Sequence, residues 1–157
     1  SGAAFEALRL RFLEIYAGHL AEGTRLFEGF EIVLDTLESR GLPWGIVTNK
    51  PGWLTDPLLA ALGLDRRAAC AVSGHTLAER KPHPLPLLHA AHLVGVEPER
   101  CIYVGDAERD IQAGRAAGMT TLVAAYGYIS ASEDPLQWQP HGMVSEPAEL
   151  LTWVDRA

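Results

Sequence analysis

One stretch constrains the fold of this chain more than any other. It is the apolar run Cys101–Val104, which stops at Gly105 and is followed by Asp106, Glu108 and Asp110. The run has no polar alternation, which is typical of a strand covered by helices on both faces. Gly105 allows a tight turn, and Asp110 follows Asp106 by one helical turn, so both carboxylates can face one crevice. The stretch predicts a buried parallel strand that ends at a functional site.

The two aspartates have two interpretations. Mg²⁺ takes one or two carboxylates together with waters and phosphate oxygens, so Asp106 and Asp110 suit a magnesium site. Acidic residues are also common in the first turn of a helix, where they complement its dipole and have no further function. This stretch alone does not decide between them.

Composition narrows the class of protein. With 157 residues, 48% of them hydrophobic, the chain is long enough for one domain with a full core. A net charge of -7 argues against nucleic acid or an anionic membrane surface as the main partner. Since no apolar run approaches the length of a membrane span, we expect a cytoplasmic protein. Cys70 and Cys101 lack CxxC spacing and are expected to be buried thiols.

The rest of the chain alternates between helical and strand patterns. Helices are predicted at residues 3–20, 29–39, 53–62, from about 84 to 94, 107–117 and 146–154, and strands at 44–47, 69–72, 101–104, 120–124 and near 143–144. Strands that alternate with helices predict an α/β sandwich of three layers with a mostly parallel, Rossmann-like sheet.

The chain has 13 basic residues, and only Lys50 and Lys81 among them are lysines. Both follow or lie near predicted strand ends. Lysine supplies a compact point charge suited to phosphate, so both are candidate phosphate-binding residues, although two surface lysines would also explain the pattern.

Polar residues gather at one edge of the predicted sheet. Thr48 and Asn49 follow one strand, Lys81 lies on the loop after the next, and Asp106 and Asp110 follow a third. Ligands of such sheets bind outside the carboxyl ends of the strands. A hydroxyl and an amide for phosphate oxygens, a cation, and carboxylates for Mg²⁺ together indicate phosphoryl transfer.

Three motifs in order carry a family resemblance. Val47-Thr48-Asn49-Lys50, Arg80-Lys81-Pro82 and Val104-Gly105-Asp106 with Asp110 resemble the second, third and fourth motifs of the haloacid dehalogenase superfamily, in its phosphoglycolate-phosphatase-like branch. The segments at residues 44–51 and 126–138 resemble more narrowly the N-acetylmuramic acid 6-phosphate phosphatases of cell-wall recycling.

The resemblance implies roles for these positions. Thr48 and Asn49 would bind the transferring phosphoryl group, and Lys81 would neutralise it together with the nucleophile. Asp106 would ligate Mg²⁺, and Asp110 would support the site. The substrate would be a small phosphorylated metabolite.

One departure from the family is decisive for activity. The first motif of the family, an Asp-x-Asp pair that supplies the nucleophile, occurs nowhere in this sequence. By resemblance, residues 1–22 would be the remnant of a helical cap domain that ends in the helix 3–20, and residues 23–157 a core that lacks its first strand. We therefore expect a fragment of a phosphatase that is inactive alone.

The missing strand would be central, between the strands that end at Val47 and Val104. Its absence would leave two unpaired inner edges. Either these strands pair directly, or another chain covers them by self-association, or the missing strand belongs to the same protein.

Two other classes of function remain open. A non-catalytic phospho-acceptor domain of similar topology would need a phosphorylatable aspartate at the end of a central strand and acids from the first strand, which are absent. A plain nucleotide-binding module would show a GxGxxG turn or a P-loop, and neither occurs.

Overall fold

The structure is a computed structural model that describes residues 10–13, 28–127 and 129–156. Its strands are β1 (Leu10–Leu13), β2 (Trp44–Val47), β3 (Cys70–Val72), β4 (Cys101–Gly105), β5 (Thr120–Ala124) and β6 (Gly142–Val144). Its helices are α1 (Phe30–Ser39), α2 (Gly52–Ala61), α3 (Leu85–Val94), α4 (Glu108–Ala116) and α5 (Glu149–Arg156). Two short 3₁₀ turns, Pro98–Arg100 and Pro135–Trp138, complete the elements of these ranges.

Within the described ranges, the six strands form one sheet in the order β3-β2-β1-β4-β5-β6. Every neighbouring pair runs parallel. Helices connect most of the successive strands, as the crossovers between parallel strands require. The predicted α/β fold with a parallel sheet is therefore confirmed.

The position of β1 corrects a prediction. A helix was expected over residues 3–20, and this is wrong at Leu10–Leu13, which form a strand. The other residues of that helix lie outside the described ranges, and the domain boundary at residue 22 stays a prediction. The physical reason is that β2 and β4 each present a row of backbone donors and acceptors that need partners, and this demand overrides a local helical spacing of apolar residues.

β1 occupies the central place that was expected to be empty. Arg11 is in register with Trp44 of β2, and Leu13 with Val104 of β4. Both inner edges are thus paired within this chain, so they give no reason for self-association, which stays a prediction.

The sheet has a core on each face, since successive strand residues point to opposite sides. Ile102 and Val104 pack with α1 and α5 in the first core, which also includes Trp44 and Ile46. Cys101 and Tyr103 pack with α3 and α4 in the second. The sheet is therefore the middle layer of three.

The strand order places a crevice beside β1. From β1 the chain builds β2 and β3 on one side, and then crosses to build β4, β5 and β6 on the other. Such a reversal opens a crevice at the carboxyl ends of the strands, where ligands of open α/β sheets bind. In the described part of the chain, none of the helices has the length and apolar character needed to span a membrane.

Candidate active site

The loop after β2 begins at Thr48. This residue is buried, and its backbone N–H donates to the carbonyl of Val72 at 2.9 Å, which extends the contact between β2 and β3. Its hydroxyl oxygen accepts the backbone N–H of Lys50 at 3.1 Å, which bends the chain away from the sheet. The hydroxyl is therefore fixed at the carboxyl end of β2, beside the crevice.

Asn49 joins two loops. Its amide nitrogen donates to the carbonyl of Lys81 at 3.0 Å, and its amide oxygen accepts the backbone N–H of Lys81 at 3.0 Å. This reciprocal pair fixes the backbone of a residue 32 positions away. Gly74 packs so closely on the carbonyl of Asn49 that a side chain at residue 74 would overlap it. Asn49 therefore positions Lys81, and its predicted direct role in phosphate binding stays a prediction.

The Lys81 ammonium lies in the interior, with its side chain 0% exposed. Its Nζ donates to Asp110 Oδ1 at 2.7 Å, to the hydroxyl of Tyr103 at 2.8 Å and to the carbonyl of Val47 at 3.2 Å. Burying a cation is costly unless it is paired and hydrogen-bonded, and here it has a counter-ion and two neutral acceptors. A positive charge is thus held at the carboxyl ends of β2 and β4.

Asp110 has a double role. Its Oδ1 pairs with Lys81, and its Oδ2 accepts the backbone N–H groups of Asp106 and Ala107 at 3.2 and 3.1 Å. These two donors belong to the start of α4, so Asp110 also caps its own helix. Gly105 packs against the Asp110 side chain, where an added Cβ would lie 2.5 Å from Oδ2. Asp110 therefore complements the start of its helix and also pairs with a buried cation, while the magnesium site expected of Asp106 and Asp110 stays a prediction.

Asp106 has different surroundings. It is buried at the carboxyl end of β4, and Gly127 of the loop after β5 packs directly against its side chain. The neighbouring Tyr126 has its pKa raised, first by burial and then by the negative charge of Asp106. Asp106 therefore provides a negative charge that the loop after β5 encloses.

These carboxylates determine how a metal would fit. No group of three or more His, Cys, Asp or Glu side chains that could hold a metal occurs in ranges 28–127 and 129–156. Asp106 lies at the carboxyl end of β4, where ligands of such sheets bind, whereas Asp110 holds Lys81 and two backbone amides. The position of Asp106 is therefore the one of the two that suits a metal. One carboxylate completed by waters and phosphate oxygens is a donor set that Mg²⁺ accepts and that a structural zinc site does not.

The structure thus brings Thr48, Asn49, Lys81, Asp106 and Asp110 to one edge, as predicted. Lys50 lies half-buried in the same loop, where its carbonyl accepts the N–H of Gly74 at 2.6 Å, and its phosphate contact stays a prediction.

Sequence reasoning missed Tyr103 and Gly127. The signal for Tyr103 was its place inside a buried apolar run, because a buried hydroxyl needs a hydrogen-bond partner. Gly127 had no comparable signal, because the approach of its loop to Asp106 depends on tertiary packing.

Comparisons with known proteins agree with this geometry. The model of the haloacid dehalogenase-like hydrolases matches residues 3–124. The phosphoglycolate phosphatase of Xanthomonas campestris pv. campestris is 51% identical over 148 residues, which are 94% of this chain and 67% of that protein. The N-acetylmuramic acid 6-phosphate phosphatase of Pseudomonas aeruginosa is 39% identical over 152 residues, which are 97% of this chain and 67% of that protein.

A solved structure of a predicted phosphoglycolate phosphatase from Haemophilus somnus superposes with a TM-score of 0.79 at 30% identity. The match covers 85% of this chain and 59% of that one. The chain therefore spans about two thirds of the length of these curated relatives, and the structural match spans 59% of the solved chain.

Proposed function

This chain belongs to the haloacid dehalogenase-like hydrolase family, and from that premise we propose that the whole protein is a Mg²⁺-dependent phosphomonoester hydrolase. It would be of the phosphoglycolate-phosphatase-like type and act on a small phosphorylated metabolite in the cytoplasm. Relatives named as phosphatases support the reaction class.

The observation that carries the proposal is the buried Lys81 ammonium, held by Asp110 at the edge where Thr48 and Asp106 also lie. Phosphoryl transfer develops charge on the phosphoryl oxygens, and catalysis depends mainly on fixed groups that stabilise this charge. Lys81 would supply the positive charge, and the Thr48 hydroxyl would donate to a phosphoryl oxygen. Asn49 would act indirectly, because it holds the backbone of Lys81.

Asp106 would hold Mg²⁺, with waters and substrate oxygens as the remaining ligands. When bound, the ion would supply further positive charge to the phosphoryl group. Asp110 would keep the Asp106 backbone in place, since its Oδ2 accepts the Asp106 N–H.

The nucleophile is the part of the chemistry that these residues do not provide. The sequence contains no Asp-x-Asp, and β1, the strand beside the crevice, reads Leu-Arg-Phe-Leu. A covalent phosphoaspartate needs a carboxylate at that position, so the 157 residues alone are proposed to bind phosphate without turning a substrate over.

The substrate has two candidates. Relatives named as phosphoglycolate phosphatases include those with the higher identity, 51% and 49%, and relatives named as N-acetylmuramic acid 6-phosphate phosphatases reach 39% and 40%. We propose a phosphoglycolate-like substrate, with N-acetylmuramic acid 6-phosphate as the alternative.

The test compares the purified 157 residues with the complete translated protein that carries them. Each is assayed with Mg²⁺ against phosphoglycolate and N-acetylmuramic acid 6-phosphate. We expect release of phosphate by the complete protein, loss of this activity in its Lys81→Met and Asp106→Asn variants, and no turnover by the 157 residues. Turnover by the 157 residues would contradict the proposed need for an absent carboxylate. No activity of the complete protein on any phosphomonoester would overturn the function itself.

A further inference from the structure

We propose, resting on the proposed function, that Tyr103 is a positioning residue that fixes the direction of the Lys81 ammonium. The hydroxyl of Tyr103 accepts a hydrogen bond from Lys81 Nζ at 2.8 Å and donates one to the carbonyl of Val47 at 3.1 Å. Lys81 Nζ donates to the same carbonyl at 3.2 Å. The ammonium, the phenol and the carbonyl therefore form a closed triangle of hydrogen bonds.

Tyr103 reaches this triangle from across the sheet. It lies on β4, in register with Phe12 of β1, whereas Val47 ends β2 on the other side of β1. Two strand spacings separate β2 from β4, roughly 10 Å. The Tyr103 side chain and its 3.1 Å hydrogen bond to Val47 together bridge this separation, and the terminal hydroxyl is the atom that makes the connection. Phenylalanine would fill the same space and leave the connection unmade.

The charge of the Lys81 ammonium is balanced by one partner, and its direction is fixed by others. Asp110 supplies the counter-ion, but lysine is a compact charge on a flexible stem, and one carboxylate accepts it over a range of directions. The two neutral acceptors, Tyr103 and Val47, restrict that range because hydrogen bonds require alignment. Tyr103 thus contributes geometry at a site where geometry determines how well charge is stabilised.

The ring of Tyr103 is itself held in place. Tyr103 is 0% exposed, and α4 packs on it at Gly114, where an added Cβ would lie 3.6 Å from the Cβ and Cδ2 atoms of Tyr103. Lys81 Nζ lies 5.4 Å from the ring centroid and 2.8 Å from the hydroxyl, so the ammonium sits at the hydroxyl end of the ring and contacts Tyr103 through the hydrogen bond. Tyr103→Phe keeps the buried ring and removes that bond, so it isolates the hydroxyl.

The composition of the chain allows a direct test, since Lys50 and Lys81 are its two lysines. Labelling lysine with ¹³C at Cε gives one NMR signal for each, and Lys50 serves as the reference within the same sample. In Tyr103→Phe we expect the Lys81 signal to move and broaden while the Lys50 signal stays in place.

The matched control is Thr121→Val. Thr121 is also 0% exposed and lies on β5 beside Tyr103, in register with it, but its hydroxyl contacts His141 Nδ1 at 2.9 Å and takes no part in the triangle. This variant therefore loses a buried hydroxyl next to Tyr103 and keeps that of Tyr103. We expect both lysine signals to be unchanged in it. A Lys81 signal that is unchanged in Tyr103→Phe, or equally moved in Thr121→Val, overturns the positioning role.

Inorganic phosphate separates this inference from the proposed function. Phosphate should move the Lys81 signal of the unmodified chain. Tyr103→Phe should weaken the apparent affinity by at least about tenfold, the lower end of what one hydrogen bond to a charged group provides. If phosphate leaves Lys81 of the unmodified chain unmoved while Tyr103→Phe still moves it, the positioning role stands and the phosphate-binding role fails.

A second measurement covers the case in which Tyr103→Phe does not fold. Biosynthetic replacement of tyrosine by 3-fluorotyrosine preserves the shape of the ring and weakens its hydroxyl as an acceptor. The Lys81 signal should then move relative to that of Lys50. An unmoved Lys81 signal contradicts the inference.

Discussion

Replacement of Asp110 by alanine should be among the most destabilising single substitutions in this chain. The side chains of Asp110 and Lys81 are both 0% exposed and lie 2.7 Å apart. Breaking a buried pair by removing one partner costs about 3–5 kcal/mol, because the other charge is left buried. The variant also loses the cap on the Asp106 and Ala107 N–H groups, at about 1 kcal/mol. We expect the free energy of unfolding to fall by about 4–6 kcal/mol.

The opposite variant, Lys81→Met, should cost about 3–5 kcal/mol, because it breaks the same buried pair but keeps the helix cap. Each remaining charge keeps two hydrogen-bond partners: Asp110 retains its two backbone donors in Lys81→Met, and Lys81 retains Tyr103 and Val47 in Asp110→Ala. The double variant Lys81→Met/Asp110→Ala contains neither charge. It should therefore be more stable than Asp110→Ala alone, although it has lost more native contacts.

The assay is urea unfolding followed by tryptophan fluorescence, since Trp44 and Trp138 are both buried and report on the core. The matched control is Asp134→Ala. Asp134 is exposed and its Oδ1 caps a turn by accepting the N–H of Leu136 at 3.1 Å, without an ion pair to a buried lysine. This control measures the cost of a lost cap, about 1 kcal/mol, together with a long 3.4 Å contact from Gln137 to the same exposed carboxylate.

Two outcomes would refute the reasoning about Asp110. The first is an Asp110→Ala variant that loses no more stability than Asp134→Ala. The second is a double variant whose loss equals the sum of the losses in its two single variants, since that would show no coupling between Lys81 and Asp110.

Three further predictions follow from other parts of the structure. An added Cβ at residue 127 would overlap the side chain of Asp106. Gly127→Ala should therefore lower the affinity for Mg²⁺, measured by calorimetry, and lower the free energy of unfolding in urea by about 1–3 kcal/mol. An unchanged affinity for Mg²⁺ would count against that contact. Burial raises the pKa of the Cys70 thiol from 9.0 to about 11, so this thiol ionises at a lower pH in the unfolded chain than in the folded one. The contribution of the neutral thiol to the free energy of unfolding should therefore be fully present below about pH 9 and be lost as the pH rises towards 11. Cys70→Ala should show a shallower fall when unfolding is measured across that range, and an identical slope would exclude Cys70 as a cause. Arg67→Ala, which loses ion pairs to three exposed or half-exposed carboxylates, should cost about 1 kcal/mol at low salt and less at high salt, as measured by thermal unfolding.

Much of the fold was predictable because its signals are local. The strands Trp44–Val47 and Thr120–Ala124 have the predicted bounds. The first is a short, mostly apolar run directly after Pro43, and the second is a short run of β-branched and apolar residues that begins two positions after Gly118. β1 was not predictable in this way. The apolar residues around Leu10–Leu13 have a helical spacing, and what makes these four residues a strand is the hydrogen-bonding demand of β2 and β4, which come later in the chain.

The site shows the same division between local and long-range signals. Spacing and topology placed Thr48, Lys81 and Asp106 at one edge of the sheet, because parallel strands share their carboxyl ends. Spacing could not show which groups pair. Lys81 and Asp110 are 29 positions apart, and their contact depends on how the loop after β3 folds over β4.

The groups that hold Lys81 come from elements on both sides of β1. Its partners come from the end of β2, from β4 and from α4, and Asn49 secures its backbone. β1 separates β2 from β4 and pairs with both of them. The named partners of Lys81 are all part of this chain, so we expect the positive charge to be in place whether or not an aspartate is supplied beside the crevice. The lack of that aspartate would then remove turnover while leaving the binding of phosphate intact.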